Sequence, residues 1–136
     1  MRTERGSATL FVLGLCLSLL FVGGIGIDLW RVIAVRREVF ALADAVATSA
    51  ANGVDPDALR AGTVVLDGGR VRSLAGDALR RYDAASGLDA VEVDVVDGEV
   101  VVAVEDRVPM SLLGIFVRGE PIRVRATAHA RPEERG

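Results

Sequence analysis

The sequence predicts an α+β protein, in which a long N-terminal helix crosses a membrane, continues as a stalk and leads into a small head. The head is expected to contain one amphipathic helix and a three-stranded antiparallel sheet. Three observations carry this. Residues 7–27 hold no charged side chain, apolar residues then recur at steps of three and four as far as Gly53, and from Ala90 onward the period changes to two.

The uncharged run comes first. Its 21 residues span about 31 Å as a helix, the thickness of a bilayer's hydrocarbon core. Twelve of them are Leu, Ile, Phe or Val, whose insertion free energies sum to roughly −4 to −7 kcal/mol before the glycines and hydroxyls subtract from it. Gly14, Gly23, Gly24 and Gly26 would each weaken a helix in water by about 1 kcal/mol. Lipid offers exposed backbone groups no partner, so there the helix persists and the small residues become packing surface. Residues 1–6 then read as a short basic leader. A cleaved secretory signal is the rival reading, with Gly24 and Gly26 as small residues near a cut, but its apolar core is ordinarily only about 7–15 residues long. Arg2 and Arg5 on one side and Arg31, Arg36 and Arg37 on the other leave the orientation undecided by charge.

The helical pattern does not stop where the run ends. Val32, Val35, Val39, Leu42 and Val46 alternate steps of three and four, Phe40, Ala43, Ala47 and Ala50 widen the stripe, and Gly53 and Pro56 end it. Residues 28–52 are therefore expected to continue the anchor as a stalk, one helix of about 69 Å from Ser7 to Asn52. Trp30 and Arg31 fall where the run leaves the lipid and suit a membrane interface; Trp30 at the base of a core is the other possibility.

Residues 53–131 read as the head, and residues 132–136 as a flexible tail. Asp55 and Pro56 look like the N-cap and first residue of a short helical turn through Ala61, closed by Gly62. Val71, Leu74, Ala75, Ala78, Leu79, Tyr82 and Ala85 mark one face of an amphipathic helix stopped by Gly87. Val91, Val93 and Val95 alternate with Glu92 and Asp94, and Asp97-Gly98 supplies a tight turn before Val100 to Val104. Ile122, Val124, Ala126, Ala128 and Ala130 alternate with Arg123, Arg125, Thr127 and His129 as a third strand, and Glu92 or Asp94 is expected to face Arg123 or Arg125. Between the second and third strands Met110, Leu112, Leu113, Ile115, Phe116 and Val117 are denser in apolar side chains than an ordinary connection. They form either a helical turn closing the core or an interaction patch that docks a partner or touches a membrane. About 84 residues after Asn52 make a sufficient core only if the stalk's outer seam packs onto the sheet.

Composition removes whole classes of function. The 136 residues hold 16 basic side chains, all Arg, against 19 acidic ones, so the net charge of −3 supplies no footprint for nucleic acid. One Cys and one His cannot build a disulfide, a tetrahedral zinc site or a Cys–His nucleophile pair with its orienting partner. Mid-membrane Cys16 reads as a small apolar residue. No nucleophile, general base and oxyanion donor converge in a recognisable spacing, and the pairs Asp55/Asp57 and Glu105/Asp106 read as cap and loop charge. No enzymatic activity, cofactor, metal or small-molecule substrate is expected.

Arg5-Gly6-Ser7 ahead of the apolar run, then Asp28-Leu29-Trp30-Arg31, the Arg36-Arg37 pair and the segment LADAVATSAA from Leu42 to Ala51 resemble the N-terminal region of TadE/TadG-like proteins of Flp-type (tight-adherence) pilus systems. The resemblance covers Glu4 to Ala51. It implies a compact, pseudopilin-like pilus-assembly component, anchored in the cell membrane by a single span with its head outside the cytoplasm, whose partners are the lipid bilayer and other pilus or secretion subunits. It also implies prepilin-type processing between Gly6 and Ser7. Two departures from the family pattern bear on this. The larger members carry a metal-dependent adhesion domain, whose Asp-x-Ser-x-Ser loop this sequence does not contain, and the fifth mature position, a Glu in major pilins, is Phe11 here. A minor or accessory component is therefore the expectation, with a membrane-tethered binding module unrelated to pili or a cleaved secreted domain as alternatives.

Overall fold

A computed structural model of the chain describes residues 4–82, 87–110, 114 and 120–132, with side chains from residue 7 onward. One helix, α1 (Glu4–Ala50), carries both the apolar run and the stalk without interruption. At 47 residues it is about 70 Å long. A short α2 (Pro56–Arg60) and the amphipathic α3 (Gly68–Arg80) follow, then β1 (Ala90–Val96), β2 (Glu99–Val108) and β3 (Ile122–Ala130). The strands form an antiparallel meander in the order β1-β2-β3, so the architecture is α+β as the sequence predicts.

Two rules of side-chain direction build the core. Along β2 the alternate residues Val100, Val102, Val104 and Val108 are buried, with Asp106 half-buried at the position between the last two, and Val124 and Ala126 of β3 join them on the same face. Along α1 the residues Val39, Leu42, Ala43, Val46, Ala47 and Ala50 are all at most 2% exposed and lie across β2 and β3. Five of these are Ala or Val, which lets the helix axis approach the sheet closely. Val71, Ala75 and Ala78 bring α3 against α1. The head thus leans on its own stalk, and α1 supplies its largest single apolar face.

Local chemistry sets each boundary. Gly53 N–H donates to the Ala50 carbonyl at 2.9 Å and closes α1, and the Asp55 carboxylate accepts the Asp57 and Ala58 amides to start α2. Gly62, with φ +80°, turns the chain back. The backbone then pairs Val54 with Leu66, flanked by Asp55 N–H to the Val65 carbonyl (2.8 Å) and Asp67 N–H to the Gly53 carbonyl (2.9 Å). This clip was not legible in the sequence; it closes the α2 loop and aims α3 back along α1. Asp97 (φ 51°) and Gly98 (φ 75°) form the two-residue turn that joins Val96 to Glu99, as the Asp-Gly pair predicts.

Three side-chain expectations are corrected. Phe40 does not join the buried stripe: it is 41% exposed, and the Arg36 guanidinium lies 5.6 Å from its ring centroid. It sits one position past Val39, rotated about 100° away from the sheet. Tyr82 lies beyond α3 and is 45% exposed, because the Arg81 and Tyr82 amides bond back to Ala78 and Leu79 in a tightened last turn; Ala85 falls outside the described residues. Glu105 and Asp106 are not loop residues, since β2 runs on to Val108 and pairs them with Arg125 and Val124 of β3.

Candidate assembly surface

The first half of α1 presents the largest unusual surface. Leu10, Phe11, Leu17, Leu19, Leu20 and Val22 are each more than 60% exposed, on all sides of the helix. A helix that is apolar all round has no wet face to turn outward. By length and composition α1 is the one helix among the described residues able to cross a membrane. Ser18 Oγ donates to the Gly14 carbonyl at 2.8 Å, so its hydroxyl is satisfied within the helix.

At the end of this run the exposure becomes one-sided. Trp30 is 71% exposed, which places it at the rim of the apolar surface and not at the base of the core. Arg31 beside it is engaged in an interaction of its own. On the opposite side Gly24 and Asp28 are buried, and with Val32, Val35, Val39 and Leu42 they form one stripe at steps of four and three. Asp28, 4% exposed, is the buried charged residue among those described, and it is partnered. The sequence shows Asp28 as the first charge after the uncharged run and as part of the Asp28-Leu29-Trp30-Arg31 motif, but does not show it as buried. The signal was there in its spacing to Val32 and Val35, which sets it on the head-facing stripe.

Gly6 lies in the first turn of α1, and Ser7 is exposed. Of the apolar connection between β2 and β3, Met110 is described and half-buried, whereas Leu112, Leu113, Ile115, Phe116 and Val117 lie outside the described residues. The two strand ends that bracket this connection, Val108 and Ile122, are paired with each other. Two residues before Val108, Asp106 shares a hollow of about 130 Å³ with Glu38, Val39, Leu42 and Leu88. Asp106 therefore sits beside the part of the head-bearing α1 segment nearest the apolar run, and the connection leaves the sheet at that end of the head.

The outer face of the sheet is polar. Arg125 Nη2 donates to Glu92 Oε2 at 3.2 Å, diagonally across β2. Of the two acids and two arginines expected to face each other, these are the ones that meet. Arg107 pairs with Asp89 at 2.7 Å, and Glu99 lies 3.7 Å from both His129 Nδ1 and Arg131 Nε. Each pair has at least one well-exposed side chain, so each sets register more than stability. Asp67 caps α3 by accepting the amides of Arg70 and Gly69, and these hydrogen bonds hold its carboxyl below the usual carboxylate range. No group of three metal-ligating side chains occurs among the described residues.

Residues 6–53, the helix and its closing turn, match the family model of Flp pilus-assembly TadE/G-like proteins. Comparison with curated proteins and with solved structures finds no match. The matched segment is the one that contains both the apolar run and the stripe on which the head is built. That segment of the chain is thus TadE/G-like, as its residues suggest.

Proposed function

We propose that the protein is a single-pass membrane component of a Flp/Tad-type pilus or related secretion system, a minor, pilin-like part that contacts other subunits and carries out no reaction of its own. The observation that carries this is the continuity of α1. The same rigid helix is exposed and apolar on every side in its first half and forms the wall of the head's core in its second. Force or position at the membrane is thereby transmitted to the head without a hinge. Burial of Gly24 and Asp28 on the head-facing stripe supports an uncut helix, since a cut near Gly26 would separate the two.

In this reading residues 7–27 span the cell membrane, Trp30 and Arg31 lie at its surface, and the head projects outside the cytoplasm. Prepilin-type processing falls between Gly6 and Ser7, where glycine makes the first helical turn easy to open. The segment from Met110 to Val117 leaves the membrane-proximal end of the head and serves as the contact patch for a neighbouring subunit.

The mature N-terminus tests the proposal. Protein recovered from the membrane fraction should begin at Ser7, and its single Trp should be quenched by lipids brominated near the headgroup. It should also co-purify with other subunits of the pilus machinery. Recovery of a soluble chain beginning near Ile27 from the medium refutes the anchored reading.

A further inference from the structure

We propose that the head also pairs edge to edge with a second copy of itself, β3 of one copy lying parallel to β1 of the next. This rests on the membrane-component reading only for the common direction of the copies; its specificity comes from the sheet. Among the described residues β1 and β3 are the two open edges of the sheet and present unpaired backbone N–H and C=O groups. Their outer faces carry opposite charge at the same spacing. Glu92 and Asp94 are two residues apart on β1, and Arg123 and Arg125 are two residues apart on β3.

A register that sets Glu92 beside Arg123 therefore also sets Asp94 beside Arg125. In that register the inner faces agree as well, with Val93 beside Val124 and Val95 beside Ala126. Val95, 40% exposed in the single copy, becomes covered. Asp94 has no ion-pair partner among the described residues, and Arg123 stands opposite Arg107, a like charge. Arg125 exchanges Glu92 of its own chain for Asp94 of the next. Like edges repel: β1 against β1 opposes two acids to two acids, and β3 against β3 opposes arginines to arginines.

The resulting contact is head-to-tail, so it repeats and does not close into a dimer. Relative to the level of Glu92 within its own sheet, opposite Thr127 by way of Ala103, the register is shifted by four residues. Each copy is thus displaced along the strands by about 13 Å from its neighbour. Both edges run in the same direction in every copy, so the α1 helices of paired copies lie parallel.

Charge reversal of full-length protein in detergent tests this, with mass read by light scattering after gel filtration. One variant carries Glu92→Arg and Asp94→Arg, the other Arg123→Glu and Arg125→Glu. The wild-type chain is expected to self-associate at about 0.05 M salt and less at about 0.5 M. Each variant alone, confirmed folded by circular dichroism, is expected at the monomer mass, and an equimolar mixture is expected to recover the wild-type mass, because both of its interfaces again oppose unlike charges. A monomeric wild type at low salt, variants that associate as the wild type does, or a folded mixture that stays monomeric would each overturn the proposal. Association through the apolar run would survive both reversals and leave the membrane-component reading standing. Should reversal unfold the head, disulfide formation decides in a Cys16→Ser background. Copies with Asp94→Cys mixed with copies with Arg125→Cys should cross-link several times more than either alone, and equal yields refute the pairing.

Discussion

Gly53→Ala should destabilise the head, whereas the same change at Gly76 should stabilise it. A Cβ at position 53 would lie 2.7 Å from the Val71 backbone nitrogen, 2.8 Å from its Cγ2 and 2.9 Å from its Cα. Relief requires the start of α3 to move off α1. That movement is opposed by the Asp67 amide bonded to the Gly53 carbonyl at 2.9 Å and by the Val71 amide bonded to the Asp67 carbonyl at 2.9 Å. Forced overpacking costs about 1–3 kcal/mol, and an obstacle made largely of backbone puts Gly53 toward the upper end. The smaller entropy of an unfolded chain with Ala returns about 0.4–1 kcal/mol, so the net loss is about 2 kcal/mol. At Gly76, inside α3, the nearest atom is Arg80 Nη1 at 3.6 Å, an ordinary contact with a movable side chain. There the helix preference of Ala dominates, a gain of about 0.5–1 kcal/mol. The assay is pulse proteolysis of the full chain in detergent across a urea series, using an arginine-specific protease, since the head is rich in Arg and the chain has no Lys. A Gly53→Ala midpoint equal to or above wild type would refute the close approach of α3 to the end of α1, and a destabilised Gly76→Ala would refute the open helical environment assigned to it.

Leu42→Ala, at a residue 2% exposed between α1 and the sheet, should cost about 2–5 kcal/mol, while Phe40→Ala two positions earlier should cost less than about 1 kcal/mol, both read from urea midpoints. Because the folded-state pKa of Asp67 is lowered, its cap contributes stability that is present above its ordinary value of 3.8 and is lost as pH falls through the lower folded value. Thermal unfolding of the wild type should thus weaken on acidification below about pH 4, and Asp67→Ala should lower the melting temperature at pH 7 while flattening that acid limb. A double-mutant cycle on Glu92 and Arg125 should give a coupling of about 0.2–1 kcal/mol at low ionic strength that fades in about 1 M salt. Coupling that survives high salt would mean the pair is less exposed than its geometry indicates.

Much of the element plan is determined by local pattern. The Asp55-Pro56 start, the Gly62 stop, the Asp97-Gly98 turn and the alternation of Val100, Val102 and Val104 each follow from a requirement of a few neighbouring residues: a capping acceptor, a positive φ, a side-chain period of two. The uncharged run is likewise legible by itself as a candidate membrane span, because its length and apolar composition are properties of consecutive residues. What only the tertiary structure decided concerns residues whose environment is made by distant parts of the chain. Val39 and Phe40 are both apolar and adjacent, and one is buried and the other stacked with Arg36 in the open, because the sheet meets α1 on one side only. Gly53 is constrained because Val71, eighteen positions later, passes against it. Glu92 finds Arg125 only because folding sets β1 and β3 on either side of β2. Asp28 is buried at 4% exposure although it is charged, which its place in the sequence does not announce. Burial and partnership are properties of surfaces brought together by folding, and a one-dimensional pattern records the surfaces but not their meeting.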